Sequence, residues 1–174
     1  SALRLFGGTG VSPGINNVDV YQSNDWLNNV IGTVSTSDPL PQGYDVGSHS
    51  YIIPQSGVAS DPDEQIQGQF SEAVITNLLT RLDHVIARDN TLNFVGTNNG
   101  RTNSIPKGLT PSYNSIAVGR SDGSHGAGPT TFYGAGRTKV DIVVPQGSSS
   151  AATPVAASAG ALLIDNAGVG SDAA

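Results

Sequence analysis

Three consecutive serines, Ser148, Ser149 and Ser150, stand directly before Ala151-Ala152-Thr153-Pro154, a pattern in which a serine-rich turn opens a helix. The plain use of such a serine is to cap the helix. A hydroxyl placed there is also open to nucleophilic chemistry, because the positive end of the helix dipole stabilises negative charge developing beside it. Pro154 fits an opening turn, where the N–H groups have no intrahelical acceptor. Three histidines, His49, His84 and His125, are the available imidazole bases. There is no cysteine, which removes disulfide scaffolds, thiolate catalysis and Cys-ligated zinc together. Asp61, Asp63 and Glu64 cluster in a polar loop, which reads as a solvated acidic surface before it reads as a calcium site.

The elements that must position these groups are those of one domain of ordinary size, 174 residues long. Charged residues make up only 13%, against 22 glycines and 10 prolines, so turns and small-residue packing are expected and a charged coiled coil is excluded. The net charge of −6 and the lack of a basic run argue against nucleic-acid binding. The longest apolar stretch, from Ala151 to Ile164, is interrupted by Thr, Pro and Ser and falls short of the roughly 20 residues a spanning helix needs, so the chain reads as soluble. No repeat is visible.

Alternation predicts a short strand over Asn17–Tyr21; after the break at Asp38–Gly43, Tyr44 to Ile53 reads as a second strand that stops at Pro54. Ala73, Ile75, Leu78, Leu79, Leu82, Val85 and Ile86 recur at spacings of three and four, which predicts a helix capped by Ser71, with Glu72 in its first turn and Asn90 at its end. Leu92 to Gly96 reads as the next strand, running into the turn Thr97-Asn98-Asn99-Gly100. Strand, helix, strand in that order implies a crossover within a parallel sheet. Ser115–Gly119 and Val140–Val144 read as two more strands, their apolar runs suiting a sheet covered on both faces. A final helix, roughly Ser150 to Asp165, is built of Ala, Val and Leu and is expected to be buried. The fold class expected is α/β, a mainly parallel sheet with helices on both faces.

The segment Gly136 to Pro145 followed by Ser149-Ser150-Ala151-Ala152-Thr153-Pro154-Val155-Ala156-Ala157 resembles the nucleophile region of subtilisin-like serine proteases, written G-[TS]-S-x-A-[TA]-P. Registering on Ala152-Thr153-Pro154 makes Ser150 the nucleophile; registering on Gly147-Ser148-Ser149 chooses Ser149 but leaves Thr153 at the proline position. Phe94 to Gly100 resembles the family's A-A-G-N-x-G turn, whose asparagine donates to the oxyanion, and the carry-over lands on Asn98. Tyr113 to Gly119 and Gly10 to Tyr21 resemble two further family strands and turns. Asp45 to Tyr51 resembles the strand whose edge pairs with bound peptide, which implies that Ser50, Tyr51 and Ile52 flank the substrate pocket together with Val95 and Gly96.

The family's aspartate turn, D-[ST]-G, and its histidine motif, H-G-[TS], do not occur in the order Asp, His, Ser. His84 falls mid-helix, and His125 follows Asn98; only His49, preceded by Asp19, has the right order, in strand contexts the family uses otherwise. The expectation is therefore a subtilisin-like fragment carrying the nucleophile and oxyanion half of a site, with Ser1 a processed or truncated start. Alone it is nearly inert, since a serine hydroxyl needs a base. The resemblance implies a polypeptide substrate, a secreted protein, no cofactor other than calcium and no catalytic metal. A partner chain carrying Asp and His would complete it. The alternatives are a non-catalytic, self-assembling derivative of the fold, or a peptide-binding one.

Overall fold

The computed structural model describes residues 11–15, 17–53, 70–101, 104–130 and 137–168. In chain order its elements are a short helix α1 (Ser23–Asp25) continuing into a π-helical turn (Trp26–Val30), β1 (Val46–His49), α2 (Glu72–Asp89), β2 (Leu92–Gly96), β3 (Ile116–Arg120), β4 (Gly128–Thr130), β5 (Arg137–Lys139), β6 (Ile142–Val144) and α3 (Ser149–Ala167). β1, β2, β3 and β6 lie side by side in that order and every pairing is parallel. β4 and β5 form a separate antiparallel ribbon. The protein is α/β, with a mainly parallel sheet and β1–α2–β2 as its crossover unit.

α2 forms where the periodicity places it. Ser71 accepts the Val74 N–H, Glu72 lies at the positive end of the dipole, and Asn90 ends the helix in the left-handed conformation at φ 52°. Its apolar stripe, Ile75, Leu78, Leu79, Leu82, Val85 and Ile86, packs with Trp26, Leu27, Ile31, Ile53, Val95 and Leu109. Its polar flank straps down the preceding loop. Arg81 Nε donates to the Ile31 carbonyl at 2.6 Å, Asn77 to Thr33 at 2.6 Å, and Arg88 to Pro39 and Leu40 at 3.0 and 3.1 Å. Asp89 accepts the Gln42 N–H at 2.8 Å, and with the Arg88 guanidinium beside it the carboxyl is held below the usual range.

Adjacent residues of a strand face opposite ways, and β2 shows the consequence. Val95 points into the α2 cluster, whereas Phe94 packs with Val118, Ala152, Ala156 and Ala157 under α3. α3 comes close to the sheet because its inner face is small. A Cβ on Gly160 would lie 2.8 Å from the Phe94 ring, and a Cβ on Gly96 2.9 Å from Thr153 Oγ1. Ser12 ties the chain's early segment to this helix by donating to the Ser158 carbonyl at 2.9 Å. At the opposite end of the sheet, the buried Lys139 ammonium meets Asp141 at 2.7 Å, and the same carboxylate accepts the Ala117 N–H at 2.7 Å.

Several expectations need correction. Asn17–Tyr21 is not a strand: the described residues there pair with nothing, and Val18, Val20 and Tyr21 are exposed. The strand expected over Tyr44–Ile53 shortens to Val46–His49, with Ile53 held instead by an isolated antiparallel bridge to Gly108. β6 ends the sheet, so Ile142 and Val143 are exposed rather than covered on both faces. α3 is buried only through Gly160, and Leu163 beyond it is 70% exposed. Pro154 lies in the second turn of α3, where its missing N–H deprives the Ser150 carbonyl of its helical donor. Asp61, Asp63 and Glu64 lie outside the described residues.

Candidate functional site

The start of α3 meets the carboxyl ends of β1 and β2, the edge of a parallel sheet where ligands are usually held. Ser148 accepts the Ala151 N–H at 3.1 Å and is the N-cap. The next two serines divide their tasks. Ser149 is buried; its hydroxyl donates to the Thr97 carbonyl and lies 3.2 Å from Asn99 Oδ1, which also accepts the Ser149 N–H at 2.8 Å. Ser150 is half-buried, and its hydroxyl donates to the Ser50 carbonyl at 3.1 Å. The helix start and the two strand ends are therefore stitched together by side chains.

Asn98 lies in the stitched turn. It is 9% exposed, its Nδ2 donates to the Ser104 carbonyl at 3.1 Å, and its Oδ1 is buried without a hydrogen-bond partner. Its carbonyl accepts the Gly126 N–H at 2.8 Å, while Thr97 Oγ1 donates to the Gly126 carbonyl at 2.9 Å. Asn99 bridges His125, and Gly100 donates to the Ser124 carbonyl at 3.1 Å, so the 124–126 segment backs the turn. On the other side, Gly108 donates to the Ile53 carbonyl at 2.9 Å, and Thr110 Oγ1 donates to the Gly96 carbonyl at 3.3 Å. Leu109 between them takes φ 63°, a conformation costly for a residue with a side chain, and the hydrogen bonds on either side of it fasten this loop to the ends of β1 and β2.

The remaining sequence-named positions divide between the two faces. Ser50 and Gly96 belong to the α3 side and touch its first turns. Val95 is fully buried in the α2 cluster, Tyr51 packs against that cluster, and burial pushes its phenol up; Ile52 is half-buried.

None of the three histidines stands as a base to Ser150. The His49 ring lies in the core on the α2 side, 4.5 Å from the Trp26 ring centroid and 2.8 Å from Asn93 Oδ1. Asn93 Oδ1 also accepts from Tyr44, whose phenol burial pushes up to about 12 and so keeps protonated. That arrangement assigns the proton to His49 Nε2, and burial lowers the pKa of the ring. Asp19 is exposed, so no Asp19–His49–Ser150 relay forms. His125 Nδ1 accepts the Arg120 N–H at 3.1 Å, which places its proton on Nε2. His84 is exposed on α2. Sequence reasoning weighed Ser149 only as an alternative nucleophile and missed its pairing with Asn99, which joins the two loops; the doubled Asn98-Asn99 gave no way to tell which side chain reaches the helix. No group of three or more His, Asp or Glu side chains able to hold a metal occurs among the described residues. No family model matches the chain, and no match was found among the curated proteins.

Proposed function

We propose that this chain carries the nucleophile and oxyanion half of a subtilisin-like serine endopeptidase site, acting on an extended polypeptide. Ser150 is the nucleophile. It occupies the first turn of a 19-residue helix whose dipole favours developing negative charge, and it is half-buried, whereas Ser149 is buried with its hydroxyl proton given to the Thr97 carbonyl. Asn98 is the oxyanion donor: only one of its two amide hydrogens is engaged, by Ser104, which leaves the second for a charge that exists transiently. The observation that carries the reading is the junction of the two loops, with Asn99 on Ser149 and Ser150 on Ser50 in the same turn.

The attack on a peptide carbonyl proceeds as follows. The Ser150 oxygen forms a bond to the carbonyl carbon, its proton passes to a base, and the oxyanion is held by the Asn98 amide and the main-chain N–H at the start of α3. Collapse expels the amine, which takes the proton, and leaves an acyl-serine for water to cleave. The base is the missing part, since none of the three histidines is placed for it. A second polypeptide carrying a paired carboxylate and imidazole fills that role in the secreted protein we envisage.

Small-molecule imidazole can stand in for that base in a test. A fluorophosphonate probe added with millimolar imidazole labels Ser150 of the full chain, and Ser150→Ala abolishes labelling. Asn98→Ala lowers the labelling rate about a hundredfold, the usual cost of losing one oxyanion donor. Labelling that persists in Ser150→Ala refutes the assignment. Wild-type protein that stays unlabelled while fully folded favours the structural or self-assembling alternative, for which sedimentation at rising concentration is the check.

A further inference from the structure

The first amides of a helix have no acceptor within it. In α3 two of them are taken by different side chains: the Ala151 N–H by Ser148 of the same turn at 3.1 Å, and the Ser149 N–H by Asn99, fifty residues away in sequence, at 2.8 Å. We propose that Asn99 is the positioning residue of the candidate site: by gripping Ser149 from the end of β2 it sets the first turn of α3 so that the Ser150 hydroxyl stands at the Ser50 carbonyl. This rests on the reading of Ser150 as nucleophile.

The geometry supports it from both ends. Asn99 Oδ1 accepts the Ser149 amide and lies 3.2 Å from its hydroxyl, whose single proton goes to the Thr97 carbonyl, so Ser149 is held to one turn through both its main chain and its side chain. The turn itself is backed by the Asn99–His125 bridge and by the bonds from Gly100 to Ser124 and from Gly126 to Asn98. Ser150 is the next residue along the helix and inherits that placement, while its own carbonyl lacks a helical donor because residue 154 is proline. A shift of about 1 Å at a reacting atom can cost about a hundredfold in rate, so a grip on the neighbouring residue is a grip on reactivity.

The choice of carboxamide matters as well. A carboxylate at position 99 would accept the same N–H and would suit the positive helix end. It would also set a permanent negative charge beside the place where the oxyanion develops, and the two would repel. The amide holds the turn without that charge.

The test compares the full chain with Asn99→Ala and Asn99→Asp by three measurements: hydrogen exchange of the amides from 148 to 152, thermal unfolding, and imidazole-assisted fluorophosphonate labelling of Ser150. Asn99→Ala is expected to exchange the Ser149 amide about tenfold faster, as loss of one hydrogen bond implies, and to label at least about tenfold more slowly. Asn99→Asp is expected to keep wild-type exchange at the Ser149 amide yet still label more slowly, a separation that a merely structural role does not produce. Asn99→Ala that exchanges and labels as wild type overturns the proposal, as does labelling that follows only the unfolding temperature across both variants. If the wild-type chain itself is not labelled, the nucleophile reading falls, and exchange at Ser149 still decides whether Asn99 holds the turn.

Discussion

α2 and α3 are of similar length, and both pack on the same parallel sheet, yet they are built on opposite principles. α2 meets the sheet through leucine, isoleucine and valine side chains and uses its arginines to bind the carbonyls of the loop before β1. α3 meets it through Ala152, Ala156, Ala157 and Gly160 and has no basic residue in its last turn. Large side chains bury more apolar area and hold a helix firmly at a distance. Small ones bury less but let the backbone descend, so that Thr153 reaches Gly96, Ser149 reaches Thr97 and Ser150 reaches Ser50. The helix rich in area stabilises the sheet, and the helix poor in area delivers the hydroxyls to its edge.

If that division holds, the largest loss of stability comes from the α2 side. Leu82, fully buried, should cost about 2–5 kcal/mol on truncation to alanine, read by chemical denaturation, with little change in Ser150 labelling per folded molecule. The α3 side should respond to added volume instead. Gly160→Val places carbon against the Phe94 ring at 2.8 Å, and overpacking of that kind costs about 1–3 kcal/mol. Because the helix must lift to accommodate it, labelling of Ser150 in the folded fraction should fall as well. A Gly160→Val protein with unchanged labelling would show that the close approach is not what presents the serine.

The same contrast explains how far the sequence could be read. α2 was legible residue by residue, since its large apolar positions recur with the helical period between a serine cap and an asparagine stop. The parallel β1–α2–β2 unit followed from it. α3 was legible through its serine run, but its start lies one residue earlier than expected, at Ser149, and its uniformly small side chains carry no period that says which face is inward. Alternation over Asn17–Tyr21 marked an intrinsic preference that became no strand, because a strand also needs a neighbour. β4 and β5, three residues each and one of them holding Pro129, gave no signal. The strand read from Tyr44 to Ile53 contained His49 without saying which face it takes; that is settled by Asn93, forty-four positions away, and Trp26. The grip of Asn99 on Ser149 spans fifty positions and was equally out of reach.

His49 supplies a third, pH-dependent effect on the α2 side. Tyr44, Asn93, Trp26 and Tyr51 surround the ring, and none bears a negative charge at neutral pH. Its pKa is lowered in the folded chain, chiefly by burial, so the unfolded chain takes up the proton first as pH falls. The stability tied to the neutral ring is present above the ordinary value of 6.5 and is lost progressively below it. Asp89, whose pKa is also lowered, acts in a separate window, below its ordinary value of 3.8. Denaturation midpoints measured from pH 7.5 to 5 should therefore decline in the wild type and flatten in His49→Gln. An equal decline in both would place the acid-sensitive group elsewhere.

The smallest effect separates the two helix starts. Loss of a serine cap costs about 1 kcal/mol, and the two caps here differ in geometry: Ser148 accepts the Ala151 N–H at 3.1 Å, Ser71 the Val74 N–H at 3.4 Å. Ser148→Ala should be the costlier by a few tenths of a kcal/mol at most, close to the precision of denaturation curves. Hydrogen exchange resolves what stability does not. Fraying the start of α2 loosens only a solvent-facing turn, whereas fraying the start of α3 strains the Asn99 grip and the Ser150 hydroxyl together. Ser148→Ala should therefore speed exchange at Ser149 and slow Ser150 labelling, while Ser71→Ala speeds exchange at Val74 and leaves labelling alone. Equal effects of the two caps on labelling would mean that the reactive turn is held by the fold at large rather than by its own contacts.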